Sequence, residues 1–225
     1  MCGRMTRERD VKTMCSAMDA RPPGVELPIS YNVAPTQPSL IVRPIAAGGR
    51  EGAIARWGLI PSWAKDPSIG SRMINARAET AAAKPAFRAA MRRRRCIVPA
   101  DSFYEWQAVE GAKRKQPWRI HRADGEPLRF AGLWEVWDQG DGPLESFTVI
   151  TTAANDFMRP MHDRMPTIIE PEDTDVWLDP EAIADAVQAL LRPAADGALL
   201  AHPVSTRVNS PANDDPSLIE TVEEA

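Results

Sequence analysis

The second residue of the chain is a cysteine, directly after the initiating methionine. Aminopeptidases remove Met1 when the next side chain is small, and Cys2 meets that condition. Removal leaves an α-amine with an unperturbed pKa of ~7.7–8.0 beside a thiol with one of ~8.5, so both groups are expected to be partly nucleophilic at neutral pH. Such a 1,2-aminothiol attacks an aldehyde with its amine. Its thiol then closes a thiazolidine ring, a step favoured by the effective molarity of a pre-positioned nucleophile. A frayed, unreactive terminus is the alternative.

Glu105 is a second candidate, because it lies among aromatic residues in the segment Phe103-Tyr104-Glu105-Trp106. An apolar environment raises the pKa of a carboxyl group and suits it to proton transfer near neutral pH. In a regular strand, however, Tyr104 and Trp106 share the face opposite Glu105. Alternation alone therefore leaves open an outward-facing glutamate with no role in chemistry.

His162 is one of three histidines in the chain and lies in the polar segment Met161-His162-Asp163-Arg164-Met165-Pro166. A histidine is suited to acid–base chemistry, although a hydrogen-bonded structural histidine is the competing interpretation. His121 and His202 are interpreted as structural residues. A third segment that mixes polar groups with apolar neighbours, residues 73–79, contains Asn75 and Arg77.

Composition limits the class of protein that can carry these residues. The 225 residues are 44% apolar, with a mean hydropathy of -0.33, values typical of a soluble globular protein. No apolar run approaches the ~20 residues of a membrane span, and the N-terminus lacks the apolar core of an export signal. Three widely spaced cysteines predict a reducing, cytoplasmic setting. The lack of a Cys-x-x-Cys pair argues against structural zinc.

The charge is unevenly distributed along the chain. Residues 166–225 contain 13 acidic and 2 basic side chains, whereas residues 1–165 contain 18 acidic and 25 basic ones. The net charges are therefore -11 and +7, although the whole chain carries only -4. This asymmetry favours a basic face on the first part of the chain, with a solvated mosaic of charges as the alternative.

Two stretches have helical patterns. Val11, Met14, Cys15 and Met18 have the spacing of one apolar helical face, so Cys15 is predicted to be buried, and Thr6 is the predicted N-cap. Residues 78–95 are predicted to be helical, with Pro85 restarting the helix at a first-turn position. A further one or two amphipathic helices are expected over residues 171–192, the second starting at Pro180, and a single helical turn over 155–161.

The remaining apolar runs are short and separated by turn residues, which is typical of strands. Strands are expected within 29–45, at 53–60, 96–99, 103–106, 118–121, 128–137, 147–151 and 199–205. An Asp101-Ser102 turn lies between the third and fourth of these. The runs 118–121 and 128–137 are predicted to form a hairpin across Asp124-Gly125. Because strands and helices do not alternate regularly, the sequence predicts an α+β fold with mostly antiparallel pairing.

Several motifs together resemble the SRAP family, the SOS-response-associated peptidase or abasic-site processing proteins. They occur in order along nearly the whole chain and are Cys2-Gly3-Arg4, Tyr31-Asn32-Val33-Ala34-Pro35-Thr36, Trp57-Gly58-Leu59-Ile60-Pro61-Ser62-Trp63, Asn75-Ala76-Arg77-Ala78-Glu79-Thr80, Pro99-Ala100-Asp101, Phe103-Tyr104-Glu105-Trp106, Ala131-Gly132-Leu133-Trp134-Glu135 and His162-Asp163-Arg164-Met165-Pro166. Two positions depart from the family pattern: Ser102, where glycine is frequent, and Ala86, where serine is common. Both departures concern only local turn geometry.

The resemblance implies a single SRAP domain over residues 2–225, with a barrel-like, mostly antiparallel sheet core and flanking helices. It also implies covalent trapping of abasic sites in single-stranded DNA, with Cys2 as the nucleophile. By similarity, Asn75 orients Cys2 and the sugar, Glu105 transfers protons, and His162 assists sugar opening and reversal of the crosslink. Only Met1 precedes Cys2, so ordinary methionine removal suffices in place of the self-cleavage behind the family's peptidase label.

The resemblance further implies that Arg4, Arg77 and Arg164 bind phosphates near the lesion, as the planar guanidinium fork allows. Trp63 and Trp106 are expected to stack on bases, with core packing as the alternative for Trp63. The run of arginines at 92–95 is either an extension of the phosphate track or a solvated helix end that complements the helix dipole.

The expected partner is single-stranded DNA with abasic sites, bound by a monomer in the cytoplasm that associates with the nucleoid through DNA, with no membrane, metal or cofactor. The reaction is expected to be largely stoichiometric within a DNA damage (SOS) response, with weak lyase and self-cleaving peptidase activities chemically accessible. Two alternatives remain open. One is a cysteine peptidase or N-terminal-nucleophile amidohydrolase that uses Cys2 and His162, and the other is a module that binds single strands without a covalent bond.

Overall fold

A computed structural model describes residues 2–111, 113–140 and 142–223 of the chain. The strands of this part are β1 (Met5–Arg7), β2 (Ser30–Val33), β3 (Pro38–Pro44), β4 (Arg50–Trp57), β5 (Asn75–Arg77), β6 (Arg95–Ala100), β7 (Ser102–Gln107), β8 (Gln116–Arg122), β9 (Leu128–Trp137), β10 (Leu144–Ala153), β11 (Arg164–Pro166) and β12 (Leu199–Pro203). Its α-helices are α1 (Val11–Ala17), α2 (Ala78–Ala81), α3 (Arg88–Arg93), α4 (Thr174–Leu178) and α5 (Ala184–Ala189). Short 3-10 helices cover Pro67–Arg72, Pro171–Asp173, Thr206–Asn209 and Pro216–Ile219.

Five strands close into a barrel. β3 pairs antiparallel with β4 and β6, β6 pairs with β9, and β9 pairs with β10. A short parallel pairing of β10 with β4 completes the ring. β5 and β11 both pair with the later part of β10 and so lie side by side with it beyond the barrel. Residues of β5 and β11 are therefore brought together by one long strand.

The other five strands form a second, antiparallel sheet in the order β12-β8-β7-β1-β2. Successive side chains along a barrel strand belong to two different buried clusters, because the pleat of a strand points them to opposite faces. In β6, Cys96 and Val98 belong to the buried cluster between the barrel and the second sheet, whereas Ile97 belongs to the cluster under the helices. The architecture confirms the predicted α+β class, barrel-like core and flanking helices. No helix in the described part of the chain is both long and apolar enough to cross a membrane.

The first helix confirms the predicted apolar face but not the predicted cap. Val11, Met14 and Cys15 are buried. Thr6, however, is part of β1, and its hydroxyl hydrogen-bonds to the Ser102 hydroxyl at 2.7 Å. The N-cap is Asp10, whose carboxylate accepts from the backbone N–H of Thr13 at 2.8 Å. Strand pairing of residues 5–7 moves the start of the helix beyond Thr6, so the next oxygen-bearing side chain caps it.

The stretch predicted as one helix with a restart at Pro85 is two short helices. α2 ends at Ala81, and α3 begins at Arg88, three residues after Pro85. Hydrogen-bonded turns join them, with the Lys84 carbonyl accepting from the Phe87 and Arg88 amides. The predicted turn of helix over 155–161 is likewise a series of turns. α4 and α5 confirm two helices within 171–192, although the second starts at Ala184 and not at Pro180.

The predicted hairpin across Asp124-Gly125 is wrong. β8 and β9 both exist, but β8 pairs with β7 and β12 in the second sheet, while β9 pairs with β6 and β10 in the barrel. The turn itself forms, since Arg122 donates to both carboxylate oxygens of Asp124. Its two arms diverge into different sheets, where each strand pairs on both of its edges. The bend at Asp101 likewise joins strands of different sheets, since β6 belongs to the barrel and β7 to the second sheet.

Candidate active site

Backbone pairing at the start of the chain fixes the position of Cys2. Met5 in β1 pairs with Phe103 and Val33 on its two sides. The Arg4 carbonyl accepts from the Tyr104 amide at 3.0 Å. The Cys2 side chain is completely buried in the cluster between the barrel and the second sheet. The frayed-terminus interpretation is therefore wrong, because residues 2–7 are part of the folded core.

Two side chains from different sheets accompany Cys2. Asn75, the first residue of β5, donates from Nδ2 to the Cys2 carbonyl oxygen at 2.7 Å. Glu105 in β7 acts electrostatically on the Cys2 thiol. Burial raises the pKa of that thiol well above its usual range, and the Glu105 carboxylate raises it further. The expectation of a partly ionised thiol at neutral pH was based on its unperturbed pKa, and burial overturns it: the thiol needs a base before it can react.

Glu105 is 2% exposed, so the outward-facing interpretation of this residue is wrong. β7 alternates as a strand should: Phe103 lies in the cluster that contains Cys2, whereas Tyr104 packs on the opposite face against the C-terminal segment. Glu105 is on the Phe103 side by this alternation. Burial raises the pKa of its carboxyl group to about 7. A carboxyl group with a pKa near neutrality is suited to both accepting and donating a proton.

His162 lies in the turn before β11, and its Nδ1 accepts from the Arg164 amide at 2.9 Å. The Asp163 carboxylate also lies 2.7 Å from Nδ1, where its charge raises the pKa of the ring. Burial lowers the pKa of His162, which favours the neutral ring. The Asp163 side chain is mostly exposed, and in the neutral ring the hydrogen bond from the Arg164 amide to Nδ1 places the proton on Nε2. Lys115 and Asp163 act electrostatically on both His162 and Glu105, which indicates that the two share one neighbourhood.

Arg77 and Arg164 are brought together by β10. Arg77 pairs in register with Thr151, and Arg164 with Ala153, two residues further along the same strand. Arg77 is exposed. The guanidinium of Arg164 forms two hydrogen bonds with the carboxylate of Glu79, at 2.6 and 3.0 Å.

Arg4 has a different set of partners. Its NH1 donates to Asn32 Oδ1 at 2.6 Å and to the Val208 carbonyl at 2.7 Å. Both acceptors are neutral oxygens, and burial lowers the pKa of the Arg4 guanidinium. The guanidinium carbon also lies 5.8 Å from the ring centroid of Trp106, whose indole N–H donates to Asn209 Oδ1 at 2.6 Å. Arg4 and Trp106 therefore lie next to each other, and both contact the segment around residues 208–209.

Trp63 is 57% exposed, so the core-packing alternative is wrong for this residue. It lies on the loop between β4 and β5, which ends at Asn75. The hydrogen bonds next to Trp63 run to the end of β9, where Trp137 donates to the Ala64 carbonyl at 2.6 Å. An exposed indole on an anchored loop is available for stacking, but these contacts do not tie it to the Cys2 group.

The arginine run at 92–95 does not act as one unit. Arg94 pairs with the carboxylate of Glu135 at 2.5 Å. Arg95 is buried, and its guanidinium donates to carbonyls at the ends of α3 and α4, including Met91 and Trp177. These carbonyls lack partners within their helices, so Arg95 is a structural cap. Only Arg92 and Arg93 remain exposed.

Sequence reasoning missed two residues that hold the candidate site together. The side chain of Asn32 accepts from Arg4 and donates to the carbonyls of Val208, Ser210 and Asn213. Glu79 binds Arg164 across 85 positions of sequence. Both lie inside motifs that the sequence offers, but their partners are distant in the chain, and only the fold reveals them. Among the described residues, no three or more His, Cys, Asp or Glu side chains are grouped so that they could hold a metal ion.

Comparison with known proteins identifies relatives over nearly the full chain. A family model described as SOS response associated peptidase (SRAP) matches residues 1–211. The abasic site processing protein YoqW of Bacillus subtilis is 44% identical over 225 residues, covering 98% of this chain and 100% of the relative. The abasic site processing protein YedK of Escherichia coli is 33% identical over 99% of this chain and 100% of its own length.

Solved structures show the same fold. A crystal structure of a protein from Bacteroides thetaiotaomicron superposes with a TM-score of 0.89, covering 99% of this chain and 100% of the other, at 24% identity. A second, from Bordetella bronchiseptica, has a TM-score of 0.77 at 30% identity and covers 91% of this chain and 100% of the other.

Proposed function

The chain belongs to the SOS response associated peptidase (SRAP) family, and from that premise we propose that it processes abasic sites by trapping them in single-stranded DNA as a thiazolidine on Cys2. The names of its relatives support abasic-site processing. The observation that carries the covalent proposal is the meeting of Asn75, Glu105 and the N-terminal segment around Cys2. Removal of Met1 is part of the proposal, because the free α-amine of Cys2 is the first nucleophile.

The first step joins the amine to the ring-opened abasic sugar, which is an aldehyde. The nitrogen lone pair of Cys2 forms a C–N bond to the aldehyde carbon and gives a carbinolamine. Loss of the hydroxyl as water then yields an imine. Glu105 is the group proposed to move the protons of this step, since a carboxyl with a pKa of about 7 takes up and releases a proton near neutral pH. Asn75 orients the residue through the carbonyl of Cys2.

Ring closure requires the thiol to lose its proton. Because burial keeps the thiol protonated, the ionised form of Glu105 is the proposed base. The sulfur forms an S–C bond to the imine carbon, and the imine nitrogen becomes the ring N–H, with its proton taken from the thiol by way of Glu105. The overall reaction consumes one aldehyde and one aminothiol and releases one water, so Glu105 ends in its starting state.

His162 is proposed to assist opening of the sugar ring and, in reverse, release of the crosslink. A neutral imidazole with a proton on Nε2 can donate to a sugar oxygen and then recover that proton. The imine intermediate also permits β-elimination of the 3′ phosphate, so weak lyase activity belongs to the same proposal. DNA is held by Arg4, Arg77 and Arg164 at phosphates and by Trp63 and Trp106 at bases.

An acyl-transfer reaction at Cys2 is the competing function. A cysteine peptidase uses a thiolate whose pKa is lowered by its neighbours, whereas burial and Glu105 both raise the pKa of the Cys2 thiol. The local electrostatics therefore favour the aminothiol mechanism, in which the thiol reacts last and with base assistance.

The test is a denaturing gel after incubation with a single-stranded oligonucleotide that carries one abasic site, beside the same oligonucleotide without the lesion. The expected result is a 1:1 adduct that survives denaturation and forms only with the lesion. Intact mass of the protein shows whether Met1 has been removed, and intact mass of the adduct should equal protein plus DNA minus one water. Retained DNA that dissociates completely on denaturation would instead support the non-covalent binding module.

A further inference from the structure

The Arg164 guanidinium is held in one orientation by a hydrogen bond to the neighbouring strand β10. Its NH2 donates to the Thr151 carbonyl at 2.5 Å, and this bond fixes the plane of the fork. The outer edge of the fork holds the Glu79 carboxylate in a bidentate pair. The side chain of Arg164 is 15% exposed and that of Glu79 is 52% exposed. Glu79 is therefore the partner that can move away, while Arg164 stays in place.

A carboxylate in this position presents two oxygens to the guanidinium, as a phosphate group does. Arg77 is also close enough to act on Glu79 electrostatically, and Arg164 and Arg77 together hold the pKa of the Glu79 carboxyl below its usual range. Glu79 is thus ionised at neutral pH. The described structure thus contains two arginines beside one carboxylate of the chain itself, which Arg164 binds directly and Arg77 attracts electrostatically.

We propose that Glu79 is a specificity-determining residue that occupies the phosphate position of the Arg77–Arg164 pair and must be displaced when DNA binds. The inference rests on the proposed function, in which these arginines contact the DNA backbone. Undamaged single strands have to compete with Glu79 in order to bind. A strand with an abasic site competes in the same way, but its capture at Cys2 retains it. Glu79 therefore selects against non-specific binding more than against the final adduct.

The experiment measures equilibrium binding of an undamaged single-stranded oligonucleotide by fluorescence anisotropy for the wild type and Glu79→Gln. Glutamine keeps the size of the side chain and removes its charge. An exposed ion pair contributes up to ~1 kcal/mol, which corresponds to a factor of about 5, so we expect affinity to rise about 2- to 5-fold. Glu79→Asp keeps the charge on a shorter side chain that reaches the fork less well, and it should fall between the two.

Two controls separate displacement from a general effect of charge. Glu181→Gln removes an exposed carboxylate near α5 and should leave affinity unchanged. In an Arg164→Ala background, Glu79→Gln should tighten binding much less than it does in the wild type, because the fork that the carboxylate fills is gone. Thermal unfolding of each variant verifies that the fold is retained.

Unchanged or weaker binding by Glu79→Gln would overturn the proposal, since Glu79 would then only support Arg164. Equal tightening with and without Arg164 would also overturn it and reduce the effect to bulk repulsion. Failure of the proposed function has a different signature. If the denaturing gel shows no adduct, covalent capture is wrong whatever Glu79 does, and if Arg77→Ala and Arg164→Ala leave affinity unchanged, the DNA track lies elsewhere.

Discussion

Cys2 and Cys96 are two buried thiols of one cluster, and they differ in the polar groups around them. Both side chains are 0% exposed, and burial raises the pKa of both thiols well above the usual range. Cys96 is the second residue of β6, where its carbonyl accepts from the indole N–H of Trp177 and its sulfur packs against Gly132. A methyl group at Gly132 would approach that sulfur to 2.8 Å, so Cys96 is a tightly packed core residue.

Cys2 has the same apolar surroundings, with two polar groups added. Asn75 comes from β5, and Glu105 from the centre of the second sheet. Placing a carboxyl group in an apolar cluster is costly, and a fold selected for stability alone has no reason to do it. The comparison teaches that burial alone keeps a thiol protonated, and that the reactivity proposed for Cys2 depends on the polar groups around it.

The largest expected effect tests that contrast directly. Cys2→Ala should abolish the denaturation-resistant adduct, whereas Cys96→Ala should form it at the wild-type rate. Cys2→Ser retains the amine but closes the ring poorly, so it should leave at most an imine that borohydride reduction can trap. Cys96→Ala should instead lower stability by about 1 kcal/mol, the scale of a small cavity, measured by thermal unfolding. An equally stable adduct from Cys2→Ala would contradict the proposed capture of the lesion by Cys2.

The second effect concerns Glu105. Loss of a positioned acid or base typically slows a reaction ~10²–10⁴-fold, and we expect Glu105→Gln to reduce single-turnover adduct formation by that order. The amide keeps the shape but cannot exchange a proton. A wild-type rate from Glu105→Gln would return this residue to a purely structural role in β7.

The pH profile of the same variants sharpens the assignment. The proposed base is the carboxylate, and its pKa of about 7 means that the ionised fraction falls below that pH. The wild-type rate should therefore decline as pH falls through 7, by about tenfold per unit, in addition to the decline from protonation of the amine. Glu105→Gln should lack the first of these dependences, so its profile should be less steep.

His162 should have a smaller effect on capture than on release. His162→Ala should slow adduct formation where sugar opening limits the rate. It should also slow the transfer of protein from a preformed adduct to an excess of abasic competitor. Chase-driven release is the decisive measurement, because no comparable loss is expected for Cys96→Ala. Release as fast as that of the parent protein would remove His162 from reversal while leaving capture by Cys2 intact.

The residue types of this cluster could be read from the sequence, whereas most of its geometry could not. The aminothiol at Cys2 and the aromatic setting of Glu105 are local properties, and both were visible in single motifs. The burial of Glu105 was not, since strand alternation permits either face and only the pairing of β7 with β1 and β8 decides between them. The pairing of β5 with β10 also joins segments about 75 residues apart, which no local pattern encodes.

The differences between the predicted and observed helix start and hairpin also have physical causes. Thr6 and Asp10 are both acceptable N-caps, and the choice between them was made by the pairing of β1. The Asp124-Gly125 turn was predicted with the correct residues, but a turn sequence specifies a change of direction and not which sheet receives the next strand. Glu79 was missed because an Arg–Glu pair between a helix and a distant strand has no sequence signature.

The smallest expected effects distinguish how DNA reaches Cys2 from how it reacts there. Arg77→Ala and Arg164→Ala should weaken binding more than they slow the chemistry of bound DNA, because neither guanidinium is among the groups that meet at Cys2. Each lost phosphate contact should also lower the salt dependence of binding, since ~0.7 counterion is released per phosphate neutralised on a single strand.

The two arginines should differ in how much affinity they contribute, because Arg77 is exposed, whereas Arg164 must first release Glu79. Arg77→Ala should therefore cost more affinity than Arg164→Ala, and the difference should narrow when each substitution is made in a Glu79→Gln background, where Arg164 is no longer occupied. Binding isotherms at several salt concentrations measure both quantities. Unchanged affinity and salt slope in both variants would mean that the DNA backbone approaches Cys2 along another face, away from the two arginines beside β10.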